Sequence, residues 1–312
     1  MPENPIKRRD AIKLLGVSAG AAVMPKNTMS PLVAQPPPFV FSLNMSTIHG
    51  QKLGFIKELE TAAKAGYHSV EIWIDTLNEY LASGGSLKEV KTRLNDLGLQ
   101  VENCISFNQW TVDDEATRKA AMENMKKEMG LIAEIGCKRI AATGKGLPSD
   151  PAMSLDTIAE RYRSVLELGT NMHVLPILEL WGFQKKLSKL NEVVYIAMET
   201  GNKSANILLD IFHLYRGKTS LDTMPFINPN IVDILHMNDY PSTLSADVIT
   251  DADRIYPGDG VAPIKRILKM LKRPHKPLIL SAELFNVAYY KQDALVVAKT
   301  ALEKMRKVAS EV

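Results

Sequence analysis

Four ionisable side chains stand at the ends of four apolar runs, and their types are those that hold a divalent cation. Glu179 closes His173-Val-Leu-Pro-Ile-Leu-Glu179-Leu-Trp181. Asp210, with His213 three residues on, closes the run Ile207 to Leu209. His236 closes Ile231-Val-Asp-Ile-Leu-His236, and Glu283 closes Pro277-Leu-Ile-Leu-Ser-Ala-Glu283. Three carboxylates and one imidazole make an O3N donor set, which suits Mn²⁺, Mg²⁺ or Co²⁺ and also admits Zn²⁺. Such a set leaves coordination positions for substrate oxygens or water. A lone acid at a strand end is as often a helix cap or an ion-pair partner, but four in succession are not explained that way.

The elements that carry these residues follow from the runs themselves. Short continuous apolar segments of this length suit parallel strands buried on both faces. The intervals between the four residues are 31, 26 and 47, against roughly 25 to 35 residues for one βα unit of an eight-unit barrel. The first two fit one unit each, and the third requires a long loop. A (β/α)8 barrel gathers its chemistry at the carboxyl ends of its strands, so the four residues would converge on one mouth from strands 5 to 8. Upstream, the expected strands are Phe39–Met45, Ser69–Asp75, Val101–Phe107 and Arg139–Thr143. A helix with Leu53, Ile56, Leu59 and Ala63 on one face follows strand 1, and one helix ending near Leu97-Gly98 follows strand 2. The stripe Met122, Met125, Met129 and Ile132 reads as core, and Ala294–Val308 as the closing helix. The prediction is a single-domain TIM barrel over residues 39–312.

Trp73, Trp110 and Trp181 fall at expected strand ends, where they either stack on the C–H face of a sugar or simply cover the barrel mouth. Asn44, Glu71, His49 and Asn108 are further polar candidates that sequence alone does not rank, while His68 and His275 precede strands and read as structural. Cys104 and Cys137, the only cysteines, lie on or before neighbouring strands, so they either pair or remain as two buried thiols.

Residues 1–34 read as an address rather than as fold. Lys7-Arg8-Arg9-Asp10-Ala11-Ile12-Lys13 precedes the small-residue apolar run Leu14 to Met24, the order of an export signal, and it resembles a twin-arginine signal. The competing reading is a basic tail on a cytosolic protein. Residues 35–38 form a proline-rich spacer. Of 38 basic and 35 acidic residues, five basic and two acidic belong to residues 1–34, leaving 33 of each. A neutral barrel has no general electrostatic reason to bind nucleic acid or an anionic membrane. The expected partner is a small carbohydrate, the expected location periplasmic or otherwise exported, and homo-oligomerisation stays open.

Glu179, Asp210 with His213, His236 and Glu283 together resemble the pattern of the xylose-isomerase-like barrel superfamily, in particular its single-metal branch of ketose 3-epimerases and hydroxypyruvate-type isomerases. The likeness runs from strand 1 to the last helix. Asp253-Arg254-Ile255-Tyr256-Pro257-Gly258-Asp259-Gly260 resembles that superfamily's loop after strand 7, which accounts for the long third interval. The resemblance implies that Glu179 and Glu283 are the proton-transfer pair as well as metal ligands beside Asp210 and His236. It implies a metal that polarises a carbonyl and stabilises a cis-enediolate. By the same resemblance His213 and Arg254 hold substrate oxygens, although His213 could equally orient a ligand. Trp181, Trp110 and Asn44 complete the expected substrate contacts.

Departures from the family narrow the reading. The apurinic endonucleases of this superfamily need additional histidines for a three-metal cluster. Here Ile255 follows Arg254, Trp73 and Asp75 end strand 2, and Phe107-Asn108-Gln109-Trp110 ends strand 3. Asn238 stands where relatives often carry a lysine, so a phosphorylated substrate is not implied. The favoured function is an exported, metal-dependent sugar isomerase or epimerase. A dehydratase or lyase on a keto-sugar, keto-glycoside or inosose would use the same first proton abstraction. A non-catalytic sugar-binding barrel is the third reading.

Overall fold

Eight parallel strands pair in chain order, and β1 pairs with β8 to close the cylinder. The computed structural model describes residues 37–147 and 153–312. The export signal expected at residues 1–34 and the first half of the spacer lie outside the described residues. The strands are β1 (Phe39–Asn44), β2 (Ser69–Trp73), β3 (Gln100–Ile105), β4 (Arg139–Ala142), β5 (Leu175–Glu179), β6 (Ile207–Asp210), β7 (Val232–Met237) and β8 (Leu278–Ala282). Between β1 and β4 lie α1 (Ser46–His49), α2 (Phe55–Ala65), α3 (Ile74–Ala82), α4 (Leu87–Leu97) and α5 (Glu115–Glu134). From β4 onward come α6 (Leu155–Met172), α7 (Leu190–Glu199), α8 (Ile211–Arg216), α9 (Ile264–Leu271), α10 (Val287–Tyr290) and α11 (Ala294–Ala309).

The predicted barrel is therefore the observed one, with strands that stop one or two residues earlier at several carboxyl ends. One connection differs from expectation. The single helix expected after β2 is two helices, because Ser83-Gly84-Gly85-Ser86 interrupts it. Gly84 adopts φ +98°, a conformation that costs a side-chain-bearing residue dearly, and Ser86 restarts the helix by accepting a hydrogen bond from the Glu89 amide at 3.2 Å. The methionine stripe on α5 is core as expected: Met125, Met129 and Ile132 are buried and Met122 partly so. Cys104 and Cys137 are buried free thiols. No helix among the described residues is long and apolar enough to cross a membrane.

The period-2 alternation of a strand decides what stands inside the barrel. Ile177, Leu208, Ile234 and Ile279, from four adjacent strands, form an apolar cluster separate from the helix-covered core. Two residues further along the same strands come Glu179, Asp210, His236 and Ser281, so the apolar layer is the floor on which the polar layer stands. At the opposite end, Asp233 is held by Arg139, Arg273 and Lys276, and Arg139 also reaches Glu102 at 3.1 Å.

Candidate active site

Each of the four strand-end residues reaches one buried cluster. Asp210, His236 and Glu283 each offer a ligand atom within 4.8 Å of the others. Glu179 stands slightly back, its Oε1 4.0 Å from His236 Nδ1. Asp210 serves two structures at once. Its Oδ1 accepts from the His213 amide at 3.0 Å, capping α8, and from Asn238 Nδ2 at 3.1 Å. Its Oδ2 faces the cluster.

The orientation of His236 is set by a residue that the sequence did not rank. Glu71, on β2, accepts from His236 Nε2 at 2.9 Å, Asn44 Nδ2 at 2.9 Å and Ser281 Oγ at 2.7 Å on Oε2, and from Asn103 Nδ2 at 2.7 Å on Oε1. Burial alone would raise this carboxyl, but the His236 charge and these hydrogen bonds outweigh it and hold it below its usual range. Four convergent donors make Glu71 an anion. With Nε2 committed to it, His236 turns Nδ1 toward Asp210 at 3.5 Å and Glu283 at 3.0 Å, where no hydrogen bond among the described residues satisfies that nitrogen and, against the effect of burial, the Glu283 and Glu71 charges hold the imidazole well above its usual range. An orphaned imidazole nitrogen facing carboxylates, with its partner nitrogen held by another carboxylate, is the arrangement of a metal-binding histidine and its orienting partner. The donor set thus fits a divalent cation, which Asp210, His236 and Glu283 would hold with Glu179 as fourth ligand. The signal for Glu71 was its parity: it points the same way as the mouth residue Trp73, one step deeper in the barrel.

Arg254 lies within the cluster rather than above it. Its Nη1 donates to Asp210 Oδ2 at 2.6 Å and to Glu283 Oε2 at 2.8 Å, while Nε and Nη2 reach Asp251 Oδ1 at 3.0 and 2.5 Å. The guanidinium also covers the rings of Phe212 and Phe285, at 4.5 and 5.1 Å. The long loop after β7 is built to deliver it. Asp239 accepts four backbone N–H groups, from Tyr240, Gly258, Gly260 and Ala262, and bridges to Ile255. Gly260 is required here because a Cβ would lie 2.4 Å from the Asp239 carboxylate oxygen.

Arg254 Nη2 also meets His213 Nε2 at 3.2 Å. Guanidinium has donors only, so His213 accepts through Nε2 and carries its proton on Nδ1, which has no hydrogen-bond partner among the described residues. Burial lowers the His213 pKa to about 3, with Arg254 adding to the effect against the pull of Asp210. His213 is a neutral donor on the wall of the mouth.

Electrostatics separate the two glutamates. Glu283 has Arg254 and the Asn44 amide, at 2.8 and 3.2 Å. No hydrogen bond among the described residues engages the Glu179 carboxyl. Burial pushes Glu179 up to about 8; His236 opposes this, while Glu283, Asp210 and Glu71 add to it. Burial raises Glu283 as well, against His236 and Arg254. So many carboxyls in one dry cluster lack enough positive charge to be ionised together.

The mouth is a cavity of about 190 Å³ with Glu179, Glu283, His213 and Arg254 on its polar side and Trp73, Phe107, Trp181 and Phe285 as its aromatic wall. Trp181 lines the mouth. Gly182 allows the β5 loop to approach α8 closely, since a Cβ there would be 2.6 Å from the His213 carbonyl. Trp110 does not reach the mouth. β3 ends at Ile105, and the following loop turns the Trp110 ring under cover, 5.9 Å from Tyr162, with Nε1 donating to the Thr143 carbonyl at 2.8 Å. Asn44 is present but spent on protein partners. Besides its two carboxylates, its Oδ1 accepts from Trp73 Nε1 and the Ser46 amide. Phe107 and Phe285 were not singled out from sequence, because a lone phenylalanine at or just past a strand end carries no periodic signal.

Comparison with known proteins agrees with this architecture. Residues 59–308 match the family described as xylose isomerase-like TIM barrel. The inosose isomerase of Halalkalibacterium halodurans is 26% identical over 264 residues, covering 82% of this chain and 92% of that protein. Among solved structures, an IOLI protein with a binding zinc atom superposes with a TM-score of 0.80 at 22% identity, covering 88% of this chain and 99% of that one. D-psicose 3-epimerase in the presence of D-fructose superposes with a TM-score of 0.67 at 17% identity, covering 87% and 99%.

Proposed function

The chain belongs to the xylose isomerase-like TIM barrel family, and from that premise we propose that it is a divalent-metal-dependent sugar isomerase or epimerase. The observation that carries the reading is that His236 Nδ1 makes no hydrogen bond among the described residues yet faces Asp210 and Glu283, beside a Glu179 carboxyl that no hydrogen bond among them engages. A cation bound there supplies Lewis acidity to a substrate carbonyl. The remaining work falls to the chain's own groups.

Glu179 and Glu283 are the two carboxyls that line the mouth. Glu179, which no hydrogen bond among the described residues engages, would be ionised once a bound cation supplied the missing positive charge, and it then takes the proton from the carbon next to the carbonyl. Glu283, held by Arg254 and Asn44, gives a proton to the same carbon from its own side in epimerisation, while in isomerisation Glu179 returns the proton to the neighbouring carbon and a hydroxyl proton passes between the two enediol oxygens. Isomerisation leaves Glu179 as it began; in epimerisation Glu283 starts protonated and Glu179 ends so, and proton exchange with water resets the pair. His213 donates through Nδ1 to a substrate oxygen, and the aromatic wall packs against the sugar's C–H face and excludes water. Kinship to an inosose isomerase supports cyclic keto-polyols and ketoses as the substrate class. The export reading of residues 1–34 belongs to the same proposal, and cell fractionation tests it.

The test is interconversion of inososes and ketoses by protein stripped with a chelator and then reloaded with Mn²⁺, Mg²⁺, Co²⁺ or Zn²⁺. The proposal expects activity lost on stripping and restored by at least one of these cations. Conversion that proceeds equally in stripped protein overturns it.

A further inference from the structure

A second cleft opens beside the mouth, between the start of α2 and the outer side of α3, with a volume of about 450 Å³. On its floor lies Glu58, only 2% exposed. Among the described residues its carboxyl makes no hydrogen bond or ion pair, and Oε2 is buried without a partner. Buried polar atoms almost always find a partner, and the cleft that Glu58 lines is where a donor from outside the protein can reach it. Glu79 also lines the cleft, and burial together with the Glu79 charge drives the Glu58 carboxyl up to about 7.

The chemistry of the walls selects a ligand class. Glu58 and Glu79 accept hydrogen bonds, Lys52 and His49 donate, Thr76 can do either, and the Tyr80 ring, packed on Phe55 at 5.9 Å, offers an apolar face. The metal-binding geometry found among the described residues is at the mouth and not here, and Lys52 opposes a free organic cation. An uncharged ring bearing several hydroxyls satisfies acceptors and donors together while laying its C–H surface on an aromatic. The two cavities share a wall: His49, which lines the cleft, stacks on Trp73, which lines the mouth, at 5.9 Å and 20°. The mouth alone, at about 190 Å³, is below the roughly 300–1,000 Å³ usual for ligand clefts and takes one small ring.

We propose that the cleft is a second sugar-ring subsite, so that the substrate is a glycoside or disaccharide whose keto ring lies in the mouth and whose other ring crosses the His49–Trp73 pair to Glu58. The part assigned to the mouth rests on the isomerase reading above, whereas the cleft as a sugar site does not.

The experiment measures binding of glucose, cellobiose, maltose and sucrose to the metal-loaded full chain by saturation-transfer NMR and calorimetry, alongside turnover of free ketoses. Variants are Glu58→Leu, Glu79→Ala and the cleft-filling Ser83→Trp; the last two sit at exposed positions, and circular dichroism checks the fold. At least one disaccharide is expected to bind tenfold or more tighter than glucose. Loss of the polar contacts should cost about ten- to a hundredfold in that affinity, with ketose turnover unchanged. Disaccharides binding no tighter than glucose, or a gain that survives all three variants, overturns the proposal. A gain lost in the variants without any sugar being turned over keeps the subsite and removes the isomerase reading. Metal-dependent turnover of free ketoses without a disaccharide gain does the reverse.

Discussion

Replacing Glu71 by glutamine separates charge from shape at the base of the site. The carboxylate takes three donors on Oε2 and one on Oε1. Glutamine retains an oxygen for Asn44, His236 and Ser281 and presents its NH₂ to Asn103. Asn103 Oδ1 has no hydrogen-bond partner among the described residues, so turning the Asn103 amide over lets it accept that new donor, and every hydrogen bond to the residue-71 side chain is preserved. The loss is the negative charge behind His236. Exchange of charge-assisted for neutral hydrogen bonds should cost about 1–2 kcal/mol of stability. Removing the orienting anion of a metal histidine should weaken metal binding by about 10- to 100-fold, equivalent to roughly 1.4–2.7 kcal/mol. Competition of the apoprotein with a fluorescent chelator for Mn²⁺ or Zn²⁺ reads the affinity, and thermal denaturation reads the stability. Metal affinity within about twofold of wild type, in a variant that melts lower, would refute the argument and leave Glu71 as packing alone.

Glu179→Gln and Glu283→Gln should each lower turnover by at least about 10²- to 10⁴-fold with the fold intact by circular dichroism; near-normal rates in either would end the two-carboxylate mechanism. Arg254→Ala should do more than weaken substrate binding. It strips a buried cation from Asp210 and Glu283, so a loss of about 3–5 kcal/mol is expected, and an unchanged denaturant midpoint would contradict its placement. Glu58 gives a pH signature. Its folded-state pKa, raised from 4.5 to about 7, means the folded protein keeps a proton that the unfolded chain has released. Stability therefore declines as pH rises from about 4.5 through 7 and stays lower above, by up to about 3 kcal/mol. Glu58→Gln should remove that decline, and a difference between the two proteins that does not vary with pH would count against it.

The barrel was legible because parallel strands buried on both faces must be short continuous apolar runs, and the four residues ending β5 to β8 broke those runs with ionisable groups. Glu71 was less legible because its partners come from across the closed barrel: His236 is 165 residues away, and local pattern holds no trace of such a contact. Trp110 misled because strand ends are set by pairing, not by hydropathy. β3 stops at Ile105, and five further residues are enough to turn a side chain from the mouth into the helix layer. Arg254 was readable by resemblance as a substrate contact, but its burial between two carboxylates depends on the Asp239-anchored loop, whose backbone hydrogen bonds have no sequence signature beyond the glycines at 258 and 260.

The most direct measurement is solvent hydrogen exchange: metal-loaded protein incubated in D₂O with inososes, free ketoses and keto-glycosides, followed by NMR and mass spectrometry. Proton transfer by Glu179 and Glu283 predicts deuterium at a carbon adjacent to the carbonyl in at least one sugar, with the rest of its mass unchanged, and no such label in either glutamine variant. Loss of water or of an aglycone in place of simple exchange would contradict the isomerase account and assign the same carboxylates to an elimination.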